Sequence, residues 1–269
     1  MFIDILAYKY PGITKKGYIV ENKTKIIRKL ILDAAFYAKH GHMPSALSIV
    51  EIITAIHELK KEEDVFVLSK GHGCLAFYAY LVTKGVVSEE ELRSFGKSSS
   101  KLGGHPDRNK IDEIYASTGS LGHGLPICVG TALAKKIQNR SGTIFCVIGD
   151  GESNEGSVWE ACMVASQNKL NNLVCIVDNN NSQIRSLPTT DLVEKFKAFG
   201  WHTSEVSGHS INDLLKELDT RHDSKPRAII ANTVKGFGLK DIEKDMFAWH
   251  HRAPSSDEYE KFLREIDAS

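Results

Sequence analysis

Asp150 stands between two glycines in GDGESNEG, where the apolar run TIFCVIG stops, and a second apolar run, NLVCIVD, stops in DNNN, Asp178 to Asn181. Carboxylate and amide oxygens are hard ligands, and with no His or Cys between them they suit Mg2+ or Ca2+ and disfavour zinc. Two such side chains and one backbone carbonyl leave coordination positions open for water or phosphate oxygens, as a metal bridging a bound diphosphate requires. Gly149 and Gly151 let a ligand approach the main chain closely, and the N-terminus of a following helix favours its negative charge. G-D-G alone is a common turn in which Asp150 merely caps the next helix. The second strand end, carrying Asn180, is what favours a metal.

Five of the eleven histidines directly follow a glycine: His42, His72, His105, His123 and His209. The first four fall in glycine-rich loops of the N-terminal half, and FAWHHRAP adds His250 and His251 after the last expected strand. Imidazole titrates near neutrality and both donates and accepts, so such a cluster fits carbonyl and hydroxyl chemistry on a polyol. The spacing matches no zinc-protease pattern. His40, His57, His202, His209 and His222 read as surface or structural.

These groups need a scaffold that gathers distant loops at one edge. From residue 142 the sequence alternates strand TIFCVIG, helix SVWEACMVASQNKL, strand NLVCIVD, helix DLVEKFKAFG, helix INDLLKELD and strand RAIIANTV. Continuous apolar strands between helices predict an α/β fold, a doubly wound parallel sheet with helices on both faces. Right-handed crossovers bring the carboxyl ends of successive strands into one crevice, so Asp150 and Asn180 are expected to meet. Upstream, an N-terminal arm over 1–20 precedes a helix in NKTKIIRKLILDAAFYAKH, stopped by Gly41, and a second helix in MPSALSIVEIITAIHEL with Pro44 in its first turn. DVFVLSKGHG reads as a short strand, a glycine loop and a third helix. Ser88 with Glu91 forms a capping box, and a long glycine-rich loop leads to a helix from about Leu125 to Gln138. One domain over 1–269 is expected.

Composition narrows the partners. Lys+Arg and Asp+Glu number 34 each and no run of like charge occurs, which argues against nucleic acid and acidic membrane surfaces. No apolar stretch is long enough to span a bilayer and no signal-peptide core is visible, so a cytoplasmic protein is expected. The five cysteines form no C-x-x-C pair and sit mostly in apolar runs, as reduced buried thiols do.

Taken together, VLSKGHG, GGHPD, STGSLGHG, GDG through DNNN, and WHHRAP resemble, in order, segments of the diphosphate-binding domain of transketolases. The resemblance implies thiamine diphosphate as cofactor, with Asp150, Asn180 and the backbone carbonyl of Ser182 as ligands of Mg2+ (or Ca2+). It implies that His72, Gly119, Ser120, Leu121, Gly151, Asn180 and His250 hold the cofactor. His42, His105 and His250 match histidines that contact the sugar and assist proton transfer, and Glu155 matches a glutamate at a subunit interface. The reaction implied is ketol transfer, a two-carbon unit passing from a ketose to an aldose. The family carries its ylid-forming glutamate on a pyrimidine-binding domain that does not follow EIDAS here. The chain is therefore expected to work with a C-terminal transketolase subunit, in a heterotetramer, on sugar or sugar-phosphate substrates. Half of a two-oxo-acid dehydrogenase or decarboxylase, and a non-catalytic regulator retaining the fold, are the competing readings. The sequence departs from the family at Met43-Pro44, His123, Asn179-Asn180, Arg185-Ser186 and His251, the last where glycine is frequent. These departures leave the sugar open between pentose phosphates and a more specialised carbohydrate.

Overall fold

The computed structural model describes residues 15–222 and 224–268. Four apolar runs form strands β1 (Val65–Leu68), β2 (Ile144–Gly149), β3 (Leu173–Asn179) and β5 (Arg227–Asn232), and a polar one forms β4 (His202–Ser207). All pair in parallel in the order β1-β2-β3-β5-β4. Helices cover both faces, so side chains alternate between two cores. On β2, Phe145 and Val147 join a cluster with Ile31, Ile53, Tyr78 and Phe262, while Ile144, Cys146 and Ile148 join one with Leu125, Val158, Phe196 and Trp201. Each large side chain so buried contributes about 1.5–3 kcal/mol. All five cysteines are buried and unpaired.

The helices are α1 (Lys15–Ala38), α2 (Met43–Leu47), α3 (Val50–Leu59), α4 (Cys74–Thr83), α5 (Glu89–Arg93), α6 (Gly124–Ile137), α7 (Gly156–Gln167), α8 (Leu192–Ala198), α9 (Ile211–Asp219), α10 (Lys240–Lys244) and α11 (Ser256–Ala268). The chain leaves α1 through left-handed Lys39 (φ 60°) and through Gly41 (φ 134°), which fixes where the next helix starts. Ser88 and Glu91 cap α5 reciprocally, as expected. Among the described residues, no helix is long and apolar enough to cross a membrane.

Three expectations are corrected. The helix expected over 43–59 breaks at Ser48–Ile49 into α2 and α3, and the Ser48 hydroxyl turns inward to donate to Asp178 Oδ2 at 2.8 Å. Between α8 and α9 the chain returns through β4, an edge strand whose residues are half-buried or exposed and so carry no apolar run. The expected arm is helical from Lys15 onward; its residues 1–14 lie outside the described residues.

Register sets the site. Gly149 pairs with Asp178, and Asn179 with Asn232, so β2, β3 and β5 end level. The residues that follow them, Asp150, Asn180 and Thr233, open on one carboxyl edge, beside Ser69 and Lys70 from the end of β1.

Candidate active site

Asp150 is 1% exposed yet carries a charge that only neutral donors satisfy directly. Its Oδ1 accepts from the Gly151 N–H and the Ser182 hydroxyl, both at 2.7 Å, and its Oδ2 accepts from the Ser182 N–H at 2.9 Å. Asn180 Oδ1 accepts from that same N–H at 3.1 Å, while its Nδ2 donates to Asp178 Oδ2 at 2.8 Å. The Asn180 amide is thus oriented with its oxygen toward Asp150's partner. Asp150, Asn180 and Ser182 meet as expected, although Ser182 meets Asp150 through its N–H and hydroxyl. The carboxylate also caps the short 3-10 turn Gly151–Asn154, so the capping and site readings of Asp150 coexist.

Fully buried Asp178 fastens the edge together. It accepts from Ser48, Asn180, Thr233 and Lys70, the last as an ion pair. One carboxylate therefore ties the α2–α3 junction to the ends of β1, β3 and β5. Glu152 plays a similar part beside β2, accepting from Ser69 Oγ, the Gly122 N–H at 2.9 Å and the Gly149 N–H at 3.2 Å. Burial raises its pKa. Lys235, just past β5, differs. It is 6% exposed, and among the described residues its ammonium has no hydrogen bond or ion pair. Burial, then the Lys70 charge, brings its pKa down to about 8. A cavity of about 250 Å3 lies between these groups, lined among others by Lys70, His72, Leu121, Asp150, Asn180 and Lys235.

The loop histidines form a continuous array. Ring centroids run from His105 to His72 (5.2 Å), His72 to His42 (4.7 Å), His42 to His251 (4.6 Å) and His251 to His40 (5.7 Å), with His250 5.1 Å from His42. Burial and the neighbouring His72, His251, His250 and His105 push the His42 pKa down to about 3. Burial, then His105 and Lys70, bring His72 to about 4. His105 is lowered by burial, and His250 by burial, Lys235 and His251. At neutral pH His42, His72, His105 and His250 are therefore uncharged, each with one N–H and one lone pair.

The expected residues separate into groups. His72, Leu121, Asp150, Gly151, Asn180, Ser182 and His250 line the cavity. His42 and His105 stand one ring away through His72, and Gly119 (φ 139°) backs His105 so closely that a Cβ there would lie 2.8 Å from its ring. Ser120 is exposed and outside the cavity lining, and Glu155 is exposed at the start of α7. His123, expected with the converging histidines, is exposed at the start of α6 and makes no ring contact with them among the described residues. His40, read as surface or structural, stands at the end of the array between Phe95 and His251. His57 is half-buried among Phe66, Phe77 and Tyr80, and His209 stacks on Phe237 and bonds Glu51. Sequence reasoning missed Lys70, Glu152, Asp178 and Lys235. The available signal was position, since Lys70, Asp178 and Lys235 each lie at the carboxyl end of a strand.

The family model for the transketolase thiamine diphosphate binding domain matches residues 19–265. One of the named subunits of the apulose-4-phosphate transketolase of Actinobacillus succinogenes is 38% identical over 264 residues, 92% of this chain and 95% of that protein. The SqwG chain of the 6-deoxy-6-sulfo-D-fructose transketolase of a Clostridium species is 36% identical over 83% of this chain and 88% of its own. The transketolase of Mus musculus is 38% identical over 87% of this chain, which spans 40% of that longer protein. The crystal structure of the Campylobacter jejuni transketolase superimposes with a TM-score of 0.85 at 28% identity, over 93% of this chain and 43% of that one.

Proposed function

The chain belongs to the transketolase family, as its thiamine diphosphate-binding domain, and from that premise we propose that it binds the diphosphate end of the cofactor in a two-chain ketol-transferring enzyme. The observation that carries this reading is the meeting, at one sheet edge, of the Asp150–Asn180–Ser182 cluster with a buried, unpaired Lys235. The residues fit the group. An anion is what the Lys235 ammonium lacks, and Asp150 with only neutral donors is ready for a divalent cation. A Cβ on Gly151 would overlap the Gln183 side chain, so glycine lets that side chain pack against the main chain at the cavity wall.

Asp150, Asn180 and the Ser182 carbonyl are proposed to hold Mg2+ or Ca2+. His72, Gly119, Ser120, Leu121, Gly151, Asn180 and His250 are proposed to hold thiamine diphosphate, with Lys235 added. When bound, that cofactor supplies the carbon nucleophile and takes up the electron pair released as the ketose C2–C3 bond breaks. The chain's own part is to orient the sugar and move protons. His42, His105 and His250, neutral at pH 7, accept the proton of the donor's C3 hydroxyl and return one to the aldose carbonyl oxygen. A diphosphate held in the cavity would favour the protonated forms of His72 and His250, the two rings that line it.

A cleft that encloses a whole small-molecule ligand measures about 300–1,000 Å3, whereas this cavity measures about 250 Å3. It therefore suits the diphosphate end alone. The remaining ring system is assigned to a pyrimidine-binding domain on a C-terminal transketolase subunit, in a heterotetramer with two of each chain. Relatives that are themselves named as single subunits, and that match along nearly their whole length, support this. Substrates are proposed to be a ketose or ketose phosphate donor and an aldose acceptor, in the cytoplasm. Native mass spectrometry of the tagged chain purified from its own cells tests the reading. A second chain with thiamine diphosphate bound is expected. A lone chain that neither recruits such a partner when it is supplied nor binds the cofactor would overturn it.

A further inference from the structure

His251 is exposed, yet two supports fix it. Phe95, 1% exposed, packs on His40 at 5.2 Å, and His40 lies nearly parallel to His251, 5.7 Å away with 22° between planes. Gly96 (φ 72°) makes this stack possible, because a Cβ there would overlap the His40 ring. On the other side in sequence, Trp249 is buried against Phe262, and Arg252 stacks on Trp249 at 4.0 Å while pairing with Glu258. The backbone on both flanks of His251 is thus tied to the core. The ring so held stands edge-on to His42, 4.6 Å away.

We propose that His251 is a specificity-determining residue that hydrogen-bonds a hydroxyl of the aldose acceptor beyond its aldehyde carbon. The inference rests on the ketol-transfer reading above and names what that site selects. His42 lies between His251 and the two rings, His72 and His250, that line the cavity. His251 is therefore one ring further from Asp150, where the unreacting part of the sugar lies. Two imidazoles at this separation reach oxygens on adjacent carbons of one polyol at ordinary hydrogen-bond lengths. Glycine at 251 would leave His42 open on that flank. An acceptor without hydroxyls gains nothing from His251, so the ring converts a general aldehyde acceptor site into one that favours hydroxyaldehydes.

The test uses the enzyme reconstituted from both chains with thiamine diphosphate and Mg2+. Hydroxypyruvate serves as donor, and D-glyceraldehyde is compared with propanal as acceptor. The wild type is expected to prefer D-glyceraldehyde, and H251A to lower the ratio of the two kcat/KM values about tenfold, the loss of one hydrogen bond. H251N should restore part of the ratio. H40A should lower it by removing the support, and thiamine diphosphate affinity should be unchanged throughout. An unchanged ratio in H251A, or equal losses with both aldehydes, overturns the assignment. If the wild type, with cofactor bound, passes no two-carbon unit to either aldehyde, the ketol-transfer reading itself fails and the role of His251 with it.

Discussion

Asp150 and Lys235 are opposite charges in one cavity, each without a charged partner in direct contact. Asp150→Ala removes the carboxylate proposed to hold the metal. Metal-dependent thiamine diphosphate binding is expected to disappear in calorimetry while far-UV circular dichroism is unchanged; binding that still responds to EDTA would move the metal elsewhere. Lys235→Met is expected to weaken cofactor binding tenfold or more, about the worth of a charge-assisted hydrogen bond. It should leave the lone chain as stable or more stable. The folded pKa of Lys235 is about 8, below its ordinary 10.5. Between those values the unfolded chain holds the extra proton, so stability rises with pH there, and K235M should flatten that rise. The pair Asp150 and Asn180 was legible because each ends an apolar run at βαβ spacing. Lys70, Asp178, Glu152 and Lys235 were not, since a single charge beside a strand has the same appearance in solvent as in a site.

At the level of elements, Asp178 determines how the strand ends and the α2–α3 junction lock. Asp178→Asn leaves Lys70, 6% exposed, without its counter-charge. A loss of about 3–5 kcal/mol is expected in urea unfolding. The double variant K70M/D178N should recover part of it, and strict additivity of the two single losses would argue against the pairing. The element pattern explains what sequence could give. β2, β3 and β5 announce themselves through apolar runs because both faces of a central parallel strand are covered, and β1, at the edge opposite β4, does so because its residues are nearly all buried as well. β4 is an edge strand reading HTSEVS, and nothing in its composition separates it from a loop. The break between α2 and α3 was equally silent, because the apolar stripe continues through Ile49 while Ser48 turns toward a carboxylate 130 residues away in sequence.

Across the whole molecule, the array makes folding pH-dependent. His42 at about 3, and His72 and half-buried His57 at about 4, stay neutral in the folded chain at pH values where the unfolded chain binds protons. Stability of the lone chain should therefore fall as pH drops through about 6.5, less steeply below about 4, and level off only near 3. Thermal unfolding midpoints across that range measure this, and a flat profile would contradict it. A surface prediction concerns Ile127 on α6 and Met163 and Val164 on α7, which are 40%, 54% and 45% exposed on two packed helices. Met163→Asp is expected to weaken assembly with other chains in analytical ultracentrifugation without lowering the midpoint of the lone chain. The small cavity has a further consequence. A vessel that grips one end of its cargo and leaves the other uncovered releases it as soon as the lid lifts, so residence time belongs to the assembly. Dilution below the dissociation constant of the complex should then strip the enzyme of its cofactor at the rate at which its chains part.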